Sequence, residues 1–125
     1  MKTILVVDDE YALLEALTDV LEEVGYRVIS AGNGEVALTR LENERPDLIL
    51  TDFMMPLVDG LELTRRVSAM PALSEVPVVM MSAIGKRTML AKTKSSVQLA
   101  GFLDKPFELD ELLELIARLI GKGAQ

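Results

Sequence analysis

Cysteine and histidine are both absent from this chain of 125 residues. Without cysteine there is no disulfide framework, no thiol nucleophile and no cysteine zinc site, which fits a reducing cytoplasm. Without histidine, any step that needs an imidazole must take it from another molecule. The chain also lacks a basic patch: its formal net charge is −7, and that sign argues against direct nucleic-acid binding. Long apolar runs are missing too. The first stretch, MKTILVVDDE, is cut off by three acids too soon for a signal peptide or a membrane span, so no membrane association is expected. There is no internal repeat, low-complexity tract or linker.

Half of the residues are apolar, and the length suits one domain with a core of its own. Short apolar runs alternate with amphipathic stretches. Thr3–Val7, Tyr26–Ala31, Asp47–Thr51, Val76–Met81 and Gly101–Leu103 read as strands. Helical spacing marks Tyr11–Val24, where Leu13, Leu14, Leu17, Val20, Leu21 and Val24 share a face and Gly25 ends the run. Glu35–Glu44 reads as a helix closed by Pro46, and Asp59-Gly60 as a turn capping a helix to about Ala69. Gly85–Gln98 is read as a helix with a thin stripe of Met89, Leu90 and Val97, its Lys and Arg residues forming a solvated face. Leu109–Ile120 is a strongly amphipathic last helix stopped by Gly121. The expectation is one domain over 1–121 with a frayed tail, 122–125. No second domain is expected after Ile120, which fits a stand-alone domain or a piece of a longer protein.

Strands apolar on both faces and separated by helices imply a parallel sheet covered on both sides, a doubly wound α/β fold. Chemistry in such folds sits at the carboxyl ends of the strands, at the switch point of strand order. There the sequence places Asp8-Asp9-Glu10, Asp52, Ser82-Ala83 and Asp104-Lys105-Pro106. Converging carboxylates repel and call for positive charge. A hard divalent cation such as Mg²⁺ suits a site with few oxygen ligands, and Lys105 adds a fixed charge. Glu10 is read as a cap or a solvent-facing acid, and Met55 as a packing residue.

The segments ILVVDDE at 4–10, PDLILTDFMMPLVDG at 46–60, VVMMSA at 78–83 and FLDKPF at 102–107 resemble, in order and spacing, the signatures of response-regulator receivers of two-component signalling. The D-x-x-M-P-x-x-D-G block with a downstream Ser-Ala and Lys-Pro-Phe is the most specific part. This resemblance implies five parallel strands in the order 2-1-3-4-5 with five helices. It implies that Asp52 is the phosphoacceptor and that Asp8, Asp9, Asp52 and the Met54 carbonyl hold Mg²⁺, Asp8 mostly through water. Ser82 would bond the phosphoryl group, Lys105 would pair with it, and Phe102 would be an aromatic switch residue. The Lys105–Pro106 bond would be cis. Met54 and Ile84 would flank the approach of hydrolytic water.

The implied partners are a histidine kinase or phosphotransfer protein, which supplies the missing histidine, and a downstream effector protein or domain. The chain would be a cytoplasmic monomer or weak phosphorylation-dependent dimer. It would be a switch rather than an enzyme, catalysing only its own phosphorylation and dephosphorylation. The alternative is a pseudo-receiver, a binding module that takes no phosphate; intact Asp8, Asp9, Asp52, Ser82 and Lys105 argue against it. A hydrolase or flavin protein on a similar sheet lacks a second acid/base constellation or a flavin loop. Ser96–Gly101 departs from the pattern of many relatives, which leaves the fourth helix hard to place.

Overall fold

The apolar runs form strands and the amphipathic stretches form the helices that cover them. The computed structural model describes residues 1–91 and 98–123. The strands are β1 (Thr3–Val7), β2 (Arg27–Ala31), β3 (Leu48–Asp52), β4 (Val78–Ser82) and β5 (Gly101–Asp104). The helices are α1 (Tyr11–Glu23), α2 (Gly34–Leu41), α3 (Gly60–Ser68), α4 (Lys86–Ala91) and α5 (Leu109–Ile120). All strand pairs are parallel, and the sheet order is β2-β1-β3-β4-β5.

Alternation along the strands divides the core into layers. Ile4 and Val6 of β1 pack with Leu48, Leu50, Val79, Met81 and Leu103 under α1 and α5, through Leu17, Leu21, Leu112 and Ile116. Leu5 and Val7 point the other way, against Ala37 and Leu41 of α2 and Leu63 and Val67 of α3. A third cluster joins Phe53, Leu61, Met80 and Met89, with Ile84, Leu99 and Phe102 packed against it. Met89 is fully buried, so it anchors α4 to the sheet.

The helix boundaries follow their caps. Asn33 accepts a hydrogen bond from the Val36 N–H at 2.8 Å, which starts α2 one residue earlier than its spacing suggests. That helix ends at Leu41 rather than Glu44, where the Glu42 and Asn43 N–H groups tighten to i−3 bonds onto the Thr39 and Arg40 carbonyls. Asp59 caps α3 by accepting from the Glu62 N–H at 2.8 Å, as its place before Gly60 suggests. The fourth strand begins at Val78, after Pro77, which has no N–H to give a ladder. The expected helix over Gly85–Gln98 is helical at Lys86–Ala91, whereas Gln98 is outside any helix. The rest of that expectation, including Lys92, Lys94 and Val97, lies outside the described residues, as do Ala124 and Gln125 of the tail. The Tyr26 hydroxyl donates to the Gly121 carbonyl at 2.7 Å and ties the end of α5 to the start of β2.

Strand order reverses between β1 and β3: the chain leaves β1 toward β2 on one side and continues from β3 toward β5 on the other. The carboxyl ends of β1 and β3 therefore flank the crevice that the fold leaves uncovered.

Candidate functional site

Asp8 follows β1 directly and Asp52 is the last residue of β3, so the sheet delivers both carboxylates to the crevice. Asp8 is fully buried and Asp52 nearly so, while Asp9 is exposed. One carboxylate oxygen from each of the three lies within 4.8 Å of the others. Ser82 ends β4 and is buried; Lys105 follows β5. The expected site residues thus come together from four different strand ends.

Lys105 Nζ donates to Asp8 Oδ2 at 2.9 Å and lies 3.3 Å from Asp52 Oδ1. It bridges the two buried acids and offsets their repulsion. The Lys105–Pro106 bond is cis, as expected. Asp8 Oδ1 also accepts from the Glu10 N–H at 2.9 Å, and Asp52 Oδ1 from the Phe53 N–H at 3.0 Å. Glu10 itself makes no side-chain cap, in line with a solvent-facing acid.

These contacts set the charge states. Burial pushes the Asp52 carboxyl above its ordinary pKa and the Asp8 charge pushes the same way; Lys105 and the Phe53 N–H pull back only in part. Burial alone would depress the Lys105 ammonium, but the hydrogen bond and charge of Asp8, joined by Asp52, outweigh it and hold the ammonium above its ordinary value. The pocket is short of positive charge. Its three carboxylates form a hard oxygen set of the kind that Mg²⁺ takes, and they fit that ion.

Ser82 Oγ accepts from the Ile84 N–H at 3.1 Å, which leaves its hydroxyl proton free to donate elsewhere. Phe102 is half-buried on the cluster that also holds Ile84 and Phe53, so Asp52's neighbour and Phe102 share one packing unit. Met54 is 57% exposed, whereas Met55 is buried against the α2/α3 layer, as its reading as a packing residue expects.

Three features of the segment between β3 and α3 were not anticipated from sequence. The first is the Phe53 N–H; backbone donors carry no residue signature. Another is Gly60, read only as part of a turn. A Cβ there would run into the Asp52 carbonyl oxygen and approach Met80 Sδ to 2.6 Å, so the bare backbone lets α3 start directly beneath Asp52. The last is Leu57, which has φ +68° and closes a tight turn in which the Val58 N–H donates to the Pro56 carbonyl at 2.8 Å.

Residues 4–117 match the family described as response regulator receiver domain. The chain is 34% identical over 117 residues to sporulation initiation phosphotransferase F of Bacillus subtilis, covering 94% of this chain and 92% of that protein. It spans about half the length of several transcriptional regulators that it also matches. Among solved structures, the receiver domain of a signal transduction histidine kinase from Syntrophus aciditrophicus superposes with a TM-score of 0.88 at 31% identity, covering 96% of this chain and 90% of that one. The receiver domain of a sensor histidine kinase from Pseudomonas aeruginosa, with a magnesium ion coordinated in its active site cleft, gives a TM-score of 0.84 at 31% identity and covers 96% of this chain and 98% of that one.

Proposed function

The chain belongs to the response regulator receiver domains of two-component signalling, and from that membership we propose that it is a switch phosphorylated on Asp52 by a partner protein that carries a phosphohistidine. The observation that carries this reading is the bridge of Lys105 between Asp8 and Asp52, with Asp9 beside them, at the switch point of the sheet. An Asp52 oxygen attacks phosphorus as the donor's imidazole nitrogen leaves. Such transfers pass through a loose transition state, so the protein mainly positions groups and neutralises charge. Lys105 turns from Asp52 to a phosphoryl oxygen, and the Ser82 hydroxyl donates to another. Asp8, Asp9, Asp52 and the Met54 carbonyl would hold Mg²⁺, which when bound supplies positive charge against the phosphoryl oxygens. Against the pseudo-receiver alternative stands the presence of Asp8, Asp9, Asp52, Ser82 and Lys105 at the strand ends, the polar side chains that phosphorylation would use.

The output follows from added charge. A phosphoryl group brings about −1.5 to −2 beside Ser82 and Lys105. Ser82 moves toward it, Ile84 loses its side-chain acceptor, and Phe102 turns into the space vacated in their shared cluster. The readout surface is α4, β5 and α5, seen by an effector protein or domain. Amide exchange with and without beryllofluoride and Mg²⁺, in which beryllofluoride stands in for the phosphoryl group, tests this. Protection is expected to change across residues 82–107; unchanged protection there would overturn the switch.

The lifetime of the phosphorylated state depends on water held in line behind phosphorus. Met54 and Ile84 stand at its approach, and neither side chain offers a hydrogen bond to orient it. Met54→Asn and Ile84→Glu are each expected to speed hydrolysis by up to about tenfold, the effect of ~1.4 kcal/mol on the barrier. Decay of phosphoprotein followed by intact mass checks this; decay no faster than wild type in both variants would refute it.

A further inference from the structure

The burial of the methionines separates them by role. Met80, Met81 and Met89 have no exposed surface, Met55 is 8% exposed, and Met70 is partly buried against the α2/α3 layer. Met54 is 57% exposed, and Met1, at the start of the chain, is 82% exposed. Met54 therefore contributes little to the core; its neighbour Met55 does the packing. Its side chain instead lines a groove of about 410 Å³ together with Asp9, Phe53, Pro56 and Asp59. Through Asp9, whose carboxylate lies within 4.8 Å of that of Asp52, this groove opens onto the acidic site. A thioether there is a weak acceptor and no donor. The sulfoxide is a polar, strongly accepting group.

We propose that Met54 is a redox modification site whose substrate is a hydroperoxide, and that its oxidation shortens the life of the phosphorylated state. A sulfur lone pair attacks one peroxide oxygen and the O–O bond breaks. The sulfur gains that oxygen and is oxidised to the sulfoxide; the departing oxygen takes the proton, and hydrogen peroxide is reduced to water. The kinetic half of this proposal rests on the reading of Asp52 as phosphoacceptor. The sulfoxide oxygen accepts a hydrogen bond from water in the groove and holds it beside the phosphoryl group, where the thioether leaves water unoriented. Methionine sulfoxide reductases reverse the change. Met1 serves as an internal reference, since it exceeds Met54 in exposure and lies at the opposite end of β1 from the acids.

The test combines peptide mapping with kinetics. The protein is treated with hydrogen peroxide, mapped by mass spectrometry, then labelled with acetyl phosphate and Mg²⁺. Oxygen is expected on Met1 and Met54 and not on Met80, Met81 or Met89. Decay of the phosphorylated form should accelerate several-fold, up to about tenfold. The acceleration should persist in Met1→Leu and reverse with methionine sulfoxide reductase. In Met54→Leu, decay after peroxide divided by that variant's own decay before peroxide should be unity. Met54 left unoxidised while Met1 reacts, or oxidised with unchanged decay, would overturn the proposal. Failure of acetyl phosphate to label untreated protein would instead overturn the reading of Asp52, and with it the kinetic half, whatever the oxidation map shows.

Discussion

Replacing Lys105 by methionine is expected to destabilise the protein and to slow its phosphorylation, and Mg²⁺ is expected to restore much of the stability alone. Lys105 is the cation that bridges Asp8 and Asp52, and its side chain is 17% exposed. Removing one partner of a buried ion pair leaves uncompensated charge; with this much access to water the cost should be about 2 kcal/mol. The ion can replace the lost charge against the carboxylates. It cannot replace the ammonium that meets the transferring phosphoryl oxygen, so the rate with acetyl phosphate should fall about a hundredfold even at saturating Mg²⁺. The pH dependence has a definite sign. Asp52 has its pKa raised in the folded state, and Lys105 is among the groups that hold it down. A carboxyl with a raised folded pKa is more protonated in the native chain, so stability falls as pH rises through its unfolded and then its folded value. Loss of Lys105 widens that window, and the deficit of the variant should shrink toward acid pH. Thermal melts across pH, with and without Mg²⁺, measure this; a deficit independent of both would contradict the bridging role.

The second large effect runs the other way. Asp52→Asn should stabilise the metal-free protein while abolishing phosphorylation. The wild-type carboxyl is held in a site where burial and the Asp8 charge disfavour its ionised form. Removing that charge relieves the repulsion, so Tm is expected to rise. Mg²⁺ should reverse the ranking. An ion present at about a hundred times its Kd stabilises the native state by about 2.7 kcal/mol, and the neutral amide of the Asp52→Asn variant is a poorer ligand than the carboxylate it replaces. A variant that melts below wild type without metal would show that Asp52 is a structural acid rather than one poised for chemistry.

The acidic constellation was legible in the sequence because each member follows an apolar run. An aspartate directly after Val7, another at the end of LILTD and a serine after VVMM can stand only at strand ends, and parallel strands put those ends on one rim. Covering of the sheet on both sides was legible because the strands are apolar at successive positions, and Ile4 and Leu5 do pack on opposite sides. Less legible was whatever depends on backbone groups. The Phe53 N–H on Asp52 and the place of Gly60 beneath the Asp52 carbonyl arise from how the chain folds back between β3 and α3, and residue type alone does not mark them. Helix ends slipped by a few residues where local turns competed, as at Arg40. The fourth helix was hardest to place because its apolar stripe is thin and the fully buried Met89 carries most of its attachment.

The central claim is that Asp52 accepts the phosphoryl group, and residue-level localisation of that group tests it most directly. The protein is incubated with acetyl phosphate and Mg²⁺, digested, and its peptides are sequenced by mass spectrometry. One phosphoryl group on Asp52, absent when the metal is chelated beforehand, is the predicted result. A phosphoryl group on Asp8 or Asp9 instead, or an unmodified chain under these conditions, would contradict the account.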